Sequence, residues 1–249
     1  MQRFFLSPDC ITAATVSFPE DISHQIQHVL RMRSGDPVIV LDNQGSEYDV
    51  VLLEPSSKHV TGQIVARRAA PGEPDVRLTM LLCFSQREKF EWMLQKCTEL
   101  GAAGFLPVIS RRSLVQSGKD DSKKLARWQR ILTEAAEQCG RGRIPALYPP
   151  LKLEQAVQFD LPDHALRIIP DVQSGSRSLS QVLAQQVENH PPRQVAALIG
   201  PEGGFSTEEV ECASRAGFIP VTLGPRVLRM ETAAITVSAL VMYHFGQMV

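Results

Sequence analysis

The chain has 249 residues, of which 43% are hydrophobic and 21% charged, a composition typical of a soluble globular protein with one or two domains. Its formal net charge of −1 provides no overall basic field for a nucleic acid, no apolar run is long enough to cross a bilayer, and residues 1–18 lack the pattern of a signal peptide. The five cysteines are scattered and form no CxxC pair, which argues against a disulfide framework and favours reduced thiols in a cytoplasmic protein.

The first seventy or so residues predict a small β-rich unit. A short helix is expected to start after Pro19 and to end before Gly35, because apolar residues recur on one face at positions 22, 26, 29 and 30. Strands are expected at residues 38–41, 48–53 and 60–66, the first two joined by a turn at 42–45. The segment 69–74 is rich in residues that break regular structure, so it is the best candidate for a domain boundary.

Beyond this boundary, predicted strands and helices alternate. The expected strands are 76–84, 104–109, 165–169, 195–199 and 219–223, and the expected helices are 89–100, 122–139, 153–157, 179–187 and 231–245. The alternation predicts an α/β fold with a parallel sheet covered on both faces. The last helix is apolar on nearly every side, which indicates burial within the fold or in a subunit interface.

Two glycine-rich loops, at residues 198–206 and 223–232, carry the clearest functional signal. Each follows a predicted strand and precedes a predicted helix, so both should lie at the carboxyl end of the sheet, where open α/β sheets bind ligands. Glycine also lets a ligand approach the backbone. A tight turn capped by Ser206 or Thr207 explains the first loop equally well. The occurrence of two such loops favours the walls of one small-molecule pocket.

The absence of known phosphate-binding motifs from the loops restricts the class of ligand that this pocket is expected to bind. Neither loop has the lysine of a Walker motif, and the chain has no GxGxxG run. Glu202 lies within the first loop, where a carboxylate would repel a pyrophosphate and suit a cationic or polyhydroxylated ligand. The loops therefore favour an adenosine-type cofactor without phosphates. No metal is expected, because His24 and His28 have no third ligand at suitable spacing.

Positive charge is concentrated in the middle of the chain. Residues 1–74 carry six basic and nine acidic side chains, whereas residues 85–145 carry twelve basic and seven acidic ones. The middle is therefore the better candidate for contact with phosphate groups. On charge alone, a solvated helical face remains the better explanation.

The loop residues match a known family. The segments 200–205, 223–229 and 231–233 together resemble the signature of the ribosomal RNA small subunit methyltransferase E family. The resemblance extends over nearly the whole chain, through the segments 95–101, 134–141, 143–145, 3–5, 28–31 and 35–36. Met230 departs from the family, which usually has a small or hydroxyl residue there, but little effect is expected where the backbone makes the contacts.

This resemblance implies a fold and a reaction. Residues 1–72 would form a PUA-like RNA-binding β-barrel, and residues 73–249 a SPOUT domain with a deep trefoil knot that binds S-adenosylmethionine and forms a homodimer. The reaction would be methylation of N3 of a uridine, numbered U1498 in the family, in the decoding region of 16S ribosomal RNA. The family points to the assembled small subunit as the substrate.

The reaction indicates which side chains to examine. The N3 proton must be lost, and an arginine would stabilise the resulting charge on O2 and O4. Arg229 is the first candidate and Arg141 the second. Glu231 could orient an arginine or act as the base, although a carboxylate at a helix N-terminus explains it at least as well.

The resemblance also implies binding residues. Those expected to bind the cofactor are Leu198, Ile199, Gly200, Glu202, Gly203, Gly204, Leu223, Gly224, Leu228, Arg229, Thr232 and Ala233. Those nominated for RNA contact are Arg3, Arg31, Arg33, Arg111, Arg112, Lys123 and Lys124, each of which is more simply a solvated surface residue.

Two alternatives stay open at this point. One is a related knotted methyltransferase that acts on transfer RNA or on a ribose 2′-hydroxyl, which the N-terminal unit and the segment 231–233 argue against by resemblance only. The other is a non-enzymatic RNA-binding or assembly factor with a vestigial pocket, against which the intact glycines of both loops weigh.

Overall fold

The computed structural model describes residues 1–53, 59–113, 121–160, 165–171, 177–188 and 193–248. By the density of internal contacts the chain divides into unit 1, residues 1–73 and 133–144, and unit 2, residues 74–132 and 145–249. The sequence-based boundary near residue 72 thus lies close to the first division, but it did not place residues 133–144 with the first unit. The assignment of 1–72 and 73–249 to PUA-like and SPOUT domains stays a prediction.

Unit 1 is built on a five-stranded sheet in the order β1-β3-β4-β5-β2, in which β1 and β3 are parallel and the other pairs antiparallel. Its elements are β1 (Gln2–Phe5), β2 (Thr15–Ser17), α1 (Glu20–His24), β3 (Pro37–Leu41), β4 (Ser46–Leu52) and β5 (Thr61–Ala69). The sequence missed β1 and β2, which are only four and three residues long. The expected helix is split into α1 and one π-helical turn, Gln25–Val29.

The core of unit 1 lies against one face of this sheet. Its largest members include Phe4, Phe18 and Ile26, each at most 3% exposed. Phe4 and Phe18 meet edge to face, with their ring centroids 6.0 Å apart. Of the four apolar positions predicted to share one face of the helix, Ile22, Ile26 and Leu30 pack into this core, whereas the prediction is wrong for Val29, which is 66% exposed.

Unit 2 contains a sheet whose strands all pair in parallel, in the order β11-β13-β10-β12-β6-β7-β8, with β9 also paired to β7. The elements of the chain from residue 77 onward are β6 (Arg77–Cys83), α2 (Arg87–Glu99), β7 (Ala102–Ile109), α3 (Asp121–Cys139), β8 (Ala146–Leu147), β9 (Leu151–Lys152), α4 (Leu153–Ala156), β10 (Leu166–Pro170), β11 (Arg177–Ser178), α5 (Leu179–Glu188), β12 (Gln194–Ile199), α6 (Thr207–Arg215), β13 (Ile219–Thr222) and α7 (Met230–His244). All belong to unit 2 except the second part of α3, which from residue 133 belongs to unit 1. The predicted α/β class is confirmed.

The sheet order separates the two loop-bearing strands, β12 and β13, by a single strand, β10. β12 pairs with β6 on one side and with β10 on the other, and β10 in turn pairs with β13. Every residue of β6 after Arg77 is buried, as expected of a central parallel strand, and this agrees with its nearly continuous apolar run. The trefoil knot stays a prediction.

The last helix, α7, is less buried than its composition suggested. It packs against α2, β6 and β12 and buries Val237, Val241 and Met242. On its other side Leu240 is 42% and Tyr243 70% exposed. The expectation of burial within the fold on every side is therefore wrong, and the alternative of a subunit interface stays open.

Candidate active site

A cavity of about 720 Å³ opens in unit 2 where β10, β12 and β13 end. Parallel strands present their carboxyl ends at one edge of a sheet, and ligands of open α/β sheets bind there. Both glycine-rich loops form its walls, as the sequence predicted. The lining residues are Lys89, Pro170, Asp171, Ile199, Gly200, Pro201, Glu202, Gly203, Gly204, Phe205, Thr222, Leu223, Gly224, Arg226, Val227, Leu228, Arg229, Met230, Glu231 and Ala233.

The first loop is shaped by its own residues. A Cβ on Gly200 would lie 2.9 Å from the ring of Phe205, so only glycine lets that ring fold back over the chain. Ser206 then caps α6: its hydroxyl accepts the Glu209 N–H at 3.3 Å, and the Glu209 carboxylate accepts the Ser206 N–H at 2.9 Å. The capped turn is therefore present, and the same loop lines the cavity, so the two explanations are compatible.

The second loop leads from β13 into α7. Gly224 has φ +109°. The hydroxyl of Thr222 accepts a hydrogen bond from the Gly224 N–H and donates one to the Gly224 carbonyl, both at 3.2 Å. A Cβ on Gly224 would meet nothing within 4 Å, so the glycine leaves open space. Arg229 occupies the N-cap position of α7 without a side-chain cap. The first N–H groups of a 15-residue helix therefore stand beside the cavity.

The cavity is lined by equal numbers of basic and acidic side chains. Three are basic, at Lys89, Arg226 and Arg229, and three acidic, at Asp171, Glu202 and Glu231. Lys89 Nζ lies 3.2 Å from Glu202 Oε1. Because the ammonium offsets the carboxylate, Glu202 repels an anion less than the sequence argument assumed.

Two of the three catalytic candidates line this cavity. Arg229 is exposed, and none of the described residues forms a hydrogen bond or ion pair with its guanidinium. Glu231 follows two positions later, and its Oε2 is buried without a hydrogen-bond partner within the described part of the chain. An unpaired cation and an unsatisfied carboxylate oxygen thus border one cavity at the start of α7.

The third candidate, Arg141, lies in unit 1. The residue is 2% exposed, and its Nε and Nη2 donate to the two carboxylate oxygens of Glu73 at 3.2 Å each. Glu73 also accepts the Arg143 N–H at 3.0 Å. This buried pair gives Arg141 a structural role that the sequence did not indicate, and its catalytic role stays a prediction.

Ten of the twelve expected cofactor residues line the cavity. The exceptions are Leu198, fully buried inside β12, and Thr232, which is exposed on the first turn of α7. The sequence missed Asp171, which follows β10, and Lys89, which lies on α2. Asp171 could have been found, because the strand before it was predicted in the same sheet. Lys89 carried no signal of its own.

The residues nominated for RNA contact occupy different surroundings. Arg31, Arg33, Arg111 and Lys123 are exposed, and Arg3 is half-buried with an unsatisfied Nε. Arg112 is exposed, but its Nη1 donates to the carbonyl of Gly203 at 2.9 Å, and the Arg111 N–H donates to Glu209 at 2.8 Å. Lys124 lies over the Phe84 ring, with its Nζ 4.5 Å from the centroid. The loop after β7 is thus tied to the first glycine loop.

The described residues contain no group of three or more metal-ligating side chains, and none of their helices is long and apolar enough to cross a membrane. His24 and His28 lie on consecutive turns with their ring centroids 4.7 Å apart.

Comparison with known proteins extends over both units. The family model for an RNA methyltransferase domain matches residues 72–242, and that for an RNA methyltransferase PUA domain matches residues 18–65. The chain is 35% identical to ribosomal RNA small subunit methyltransferase E of Synechocystis, over 93% of this chain and 74% of the relative. It is 29% identical to the Bacillus subtilis enzyme of that name, over 98% and 96% of the two chains.

Solved structures agree with these sequence relatives. The crystal structure of a ribosomal RNA small subunit methyltransferase E from Neisseria gonorrhoeae, bound to S-adenosylmethionine, is 30% identical with a TM-score of 0.87, covering 98% of this chain and 97% of that one. A Legionella pneumophila structure with the same bound cofactor is 31% identical with a TM-score of 0.84, covering 97% and 96%.

Proposed function

Because the chain belongs to the ribosomal RNA small subunit methyltransferase E family, we propose that it methylates N3 of a uridine in the decoding region of 16S ribosomal RNA. The protein is an S-adenosylmethionine-dependent methyltransferase of small-subunit ribosomal RNA. Beyond this activity, the proposal specifies N3 of a uridine as the atom that is methylated. It also specifies the assembled small subunit as the substrate and the cytoplasm as the location of the reaction. One observation carries it: both glycine loops wall a cavity of about 720 Å³ in a chain that matches a cofactor-bound relative over 98% of its length.

The residues of the cavity fit S-adenosylmethionine. This cofactor has no phosphate, and it supplies a methyl group that its sulfonium makes electrophilic. Gly203, Gly204 and Gly224 expose backbone to the cavity, while Asp171 and Glu202 offer carboxylates to hydroxyl, amino or cationic groups. Apolar side chains such as Ile199 and Leu228 provide the remaining wall.

Arg229 and Glu231 carry the proposed chemistry. A uridine N3 is protonated at neutral pH, and its deprotonated form spreads negative charge over O2 and O4. The unpaired guanidinium of Arg229 stabilises this charge where it develops. Glu231, whose Oε2 has no partner within the described residues, orients Arg229 or accepts the N3 proton. Holding the uridine and the methyl donor in one cavity also supplies proximity, which we expect to lower the barrier further.

A homodimer is part of the proposal. Helices α2 and α7 pack against each other, and Trp92, Leu240 and Tyr243 leave 44%, 42% and 70% of their surfaces exposed on these two helices. Substituting Leu240 and Tyr243 by lysine should give a monomer in analytical ultracentrifugation. Val65, 66% exposed on β5, provides the control, because V65K should leave the dimer intact. The trefoil knot around the cofactor loops belongs to the same proposal.

The decisive experiment uses small ribosomal subunits from a strain that lacks this gene. Incubation with the protein and labelled S-adenosylmethionine should place one methyl group on N3 of a single uridine, mapped by nuclease digestion and mass spectrometry. Transfer to a ribose 2′-hydroxyl or to transfer RNA would contradict the proposed substrate. Calorimetric titration tests the pocket separately, since a protein that binds no S-adenosylmethionine would be an assembly factor with a vestigial site.

Contacts with RNA are tested by salt dependence. Arg31 and Arg33 are exposed in unit 1 and serve as the first candidates. Replacing a true phosphate contact by glutamine should reduce the slope of log affinity against log salt by about one. An unchanged slope removes that residue from the interface.

A further inference from the structure

A second cavity lies wholly within unit 1, apart from the methyl-transfer site. Its volume is about 320 Å³, at the lower end of the range of small-molecule sites. It is lined by Pro8, Ile11, Thr12, Ala13, Asp42, Gln44, Tyr48, Ile64 and Arg67. Apolar side chains thus share this cavity with one carboxylate, one guanidinium, one phenol, one amide and the Thr12 hydroxyl, a set that can bind a polar aromatic ligand specifically.

Asp42 supplies a buried negative charge to this cavity. The residue is 5% exposed, and its Oδ1 accepts the N–H groups of Gln44 at 2.8 Å and Ser46 at 3.0 Å. Its Oδ2 accepts the Tyr48 hydroxyl, at 3.3 Å. Burial raises the pKa of this carboxyl, but the hydrogen bonds from Ser46, Gln44 and Tyr48 outweigh burial and lower it below its ordinary value. Asp42 is therefore ionised, and no lysine, arginine or histidine of the described residues pairs with it.

Arg67 supplies the positive charge. It is exposed, its Nη2 donates to the Ser46 hydroxyl at 3.2 Å, and its guanidinium lies 5.4 Å from the centroid of the Tyr48 ring. Within the described parts of the chain it pairs with no carboxylate. The next residue, Arg68, differs: it bonds Glu47 at 2.6 Å and also pairs with Asp49. Unit 1 therefore neutralises one of two adjacent arginines and leaves the other at the cavity.

Tyr48 separates these two charges, contacting Asp42 through its hydroxyl and Arg67 through its ring. The cavity therefore presents an acceptor and a donor side by side along an aromatic wall. Guanine has the matching pattern, with N1–H and N2–H₂ donors beside the O6 and N7 acceptors. Arginine is the commonest partner of O6 and N7, and carboxylates accept from base amino groups. Adenine and the pyrimidines also carry donors and acceptors, but none of them has two adjacent donor groups beside two adjacent acceptors.

We propose that this cavity binds an unstacked guanine, with Asp42 accepting from its N1–H and N2–H₂ edge and Arg67 donating to its O6 and N7 edge. Proteins that read RNA sequence do so largely at unpaired bases that stack on side chains and expose these edges. RNA is the expected source of the guanine. Only this choice of source, and not the binding of guanine itself, rests on the proposed function. It adds a recognition site in unit 1 that is distinct from the methylated uridine.

The test measures binding of the full chain to fluorescein-labelled pentanucleotides by anisotropy. UUGUU is compared with UUAUU, UUUUU and the inosine oligonucleotide UUIUU, which lacks the 2-amino group. UUGUU should bind about tenfold more tightly than the others, within the discrimination that one bidentate contact provides. Equal binding of all four would overturn the proposal.

Adjacent arginines provide the matched control. R67Q and R68Q each remove one positive charge from the same strand, so both should weaken all four oligonucleotides alike, but only R67Q should reduce the preference for UUGUU. D42N keeps an acceptor for the Gln44 and Ser46 N–H groups and should abolish the discrimination between guanosine and inosine. If both D42N and R67Q still prefer UUGUU, guanine is recognised elsewhere on the protein, and the proposed site is overturned.

Two further arms complete the test. A13W introduces an indole at the exposed rim of the cavity and leaves both charged residues in the sequence, so it should abolish the preference even if D42N proves unstable. Competition by free GMP identifies the source: GMP that competes at least as well as UUGUU would overturn RNA as the source of the guanine. Methyl transfer is assayed separately, so failure of this site and failure of the proposed function are distinguishable.

Discussion

Glycine-rich segments occur in both units, and they serve opposite purposes. In unit 1 a Cβ on Gly142 would lie 2.5 Å from the Cβ of Ala70 and 2.9 Å from the Cα of Gly45. In unit 2 a Cβ on Gly204 or Gly224 would meet nothing within 4 Å. The first glycine makes room for the protein's own backbone, whereas the other two leave room beside a cavity.

Two arginines, one adjacent to Gly142 and one five residues after Gly224, differ in the same way. Arg141 is buried and paired with Glu73, while Arg229 is exposed at the cavity without a partner among the described residues. An arginine within a few residues of a glycine in the sequence therefore does not distinguish packing from function. The surroundings of the glycine do, because a tight backbone contact leaves no space for a ligand.

The largest effect is expected at Arg229. Arg229→Ala should lower the rate of methyl transfer by about 10²–10³, the usual cost of removing one group that stabilises a developing negative charge. The protein should stay folded, because this side chain is exposed and bonds no described residue. Single-turnover transfer to small subunits at saturating cofactor checks this. Near-normal turnover would remove Arg229 from the mechanism.

Arg141 should show the reverse pattern. Arg141→Ala leaves the Glu73 carboxylate without its partner and should cost about 3 kcal/mol of stability, the lower end for a broken buried pair because Glu73 is partly exposed. Hydrogen exchange with mass spectrometry should show faster exchange in peptides from residues 1–73. Normal exchange with lost activity would instead support the catalytic role.

Alanine at two glycines compares the two kinds of segment directly. Gly142→Ala should destabilise unit 1 by about 2 kcal/mol, because the added methyl group meets backbone. Gly204→Ala has no such clash, and its φ of +66° costs about 1 kcal/mol. The Gly204 variant should instead weaken S-adenosylmethionine in calorimetry, and the Gly142 variant should not. Equal loss of cofactor affinity in both variants would contradict this distinction.

The smallest effect concerns Glu137, which accepts the Phe5 N–H at 3.0 Å in unit 1. Burial, and to a lesser degree the charge of Glu134, raises the pKa of this carboxyl above its ordinary value despite that hydrogen bond. The ionised form therefore destabilises the fold at neutral pH, and protonation relieves this as the pH falls through the raised pKa. Glu137→Gln should stabilise unit 1 by about 0.5 kcal/mol at pH 7, after allowance for solvent screening. The gain should shrink toward pH 5 in urea unfolding; a gain that grows would contradict the shift.

Most of unit 2 could be predicted, and less of unit 1. Long apolar strands such as β6, and helices with a clear apolar face such as α2, can be recognised from the sequence. β1 and β2 do not, because strands of four and three residues contain too few alternations. The exposure of Leu240 and Tyr243 on α7 could not be predicted either, because the sequence of a helix that is apolar all round does not indicate which face is buried.

The sequence by itself determined the α/β class, the two loops at the carboxyl end of the sheet and the family, because these depend on local periodicity and on residues close together in the chain. Only the tertiary structure decided that Lys89 offsets Glu202, that Asp171 joins the cavity and that Arg141 is buried against Glu73. Lys89 and Glu202 are 113 positions apart, and Arg141 and Glu73 are 68. Contacts over such separations arise from strand order and packing, which leave no local pattern in the sequence. The glycines show the same division: their spacing marks a turn, and only their neighbours in space tell whether that turn holds a ligand or the protein itself.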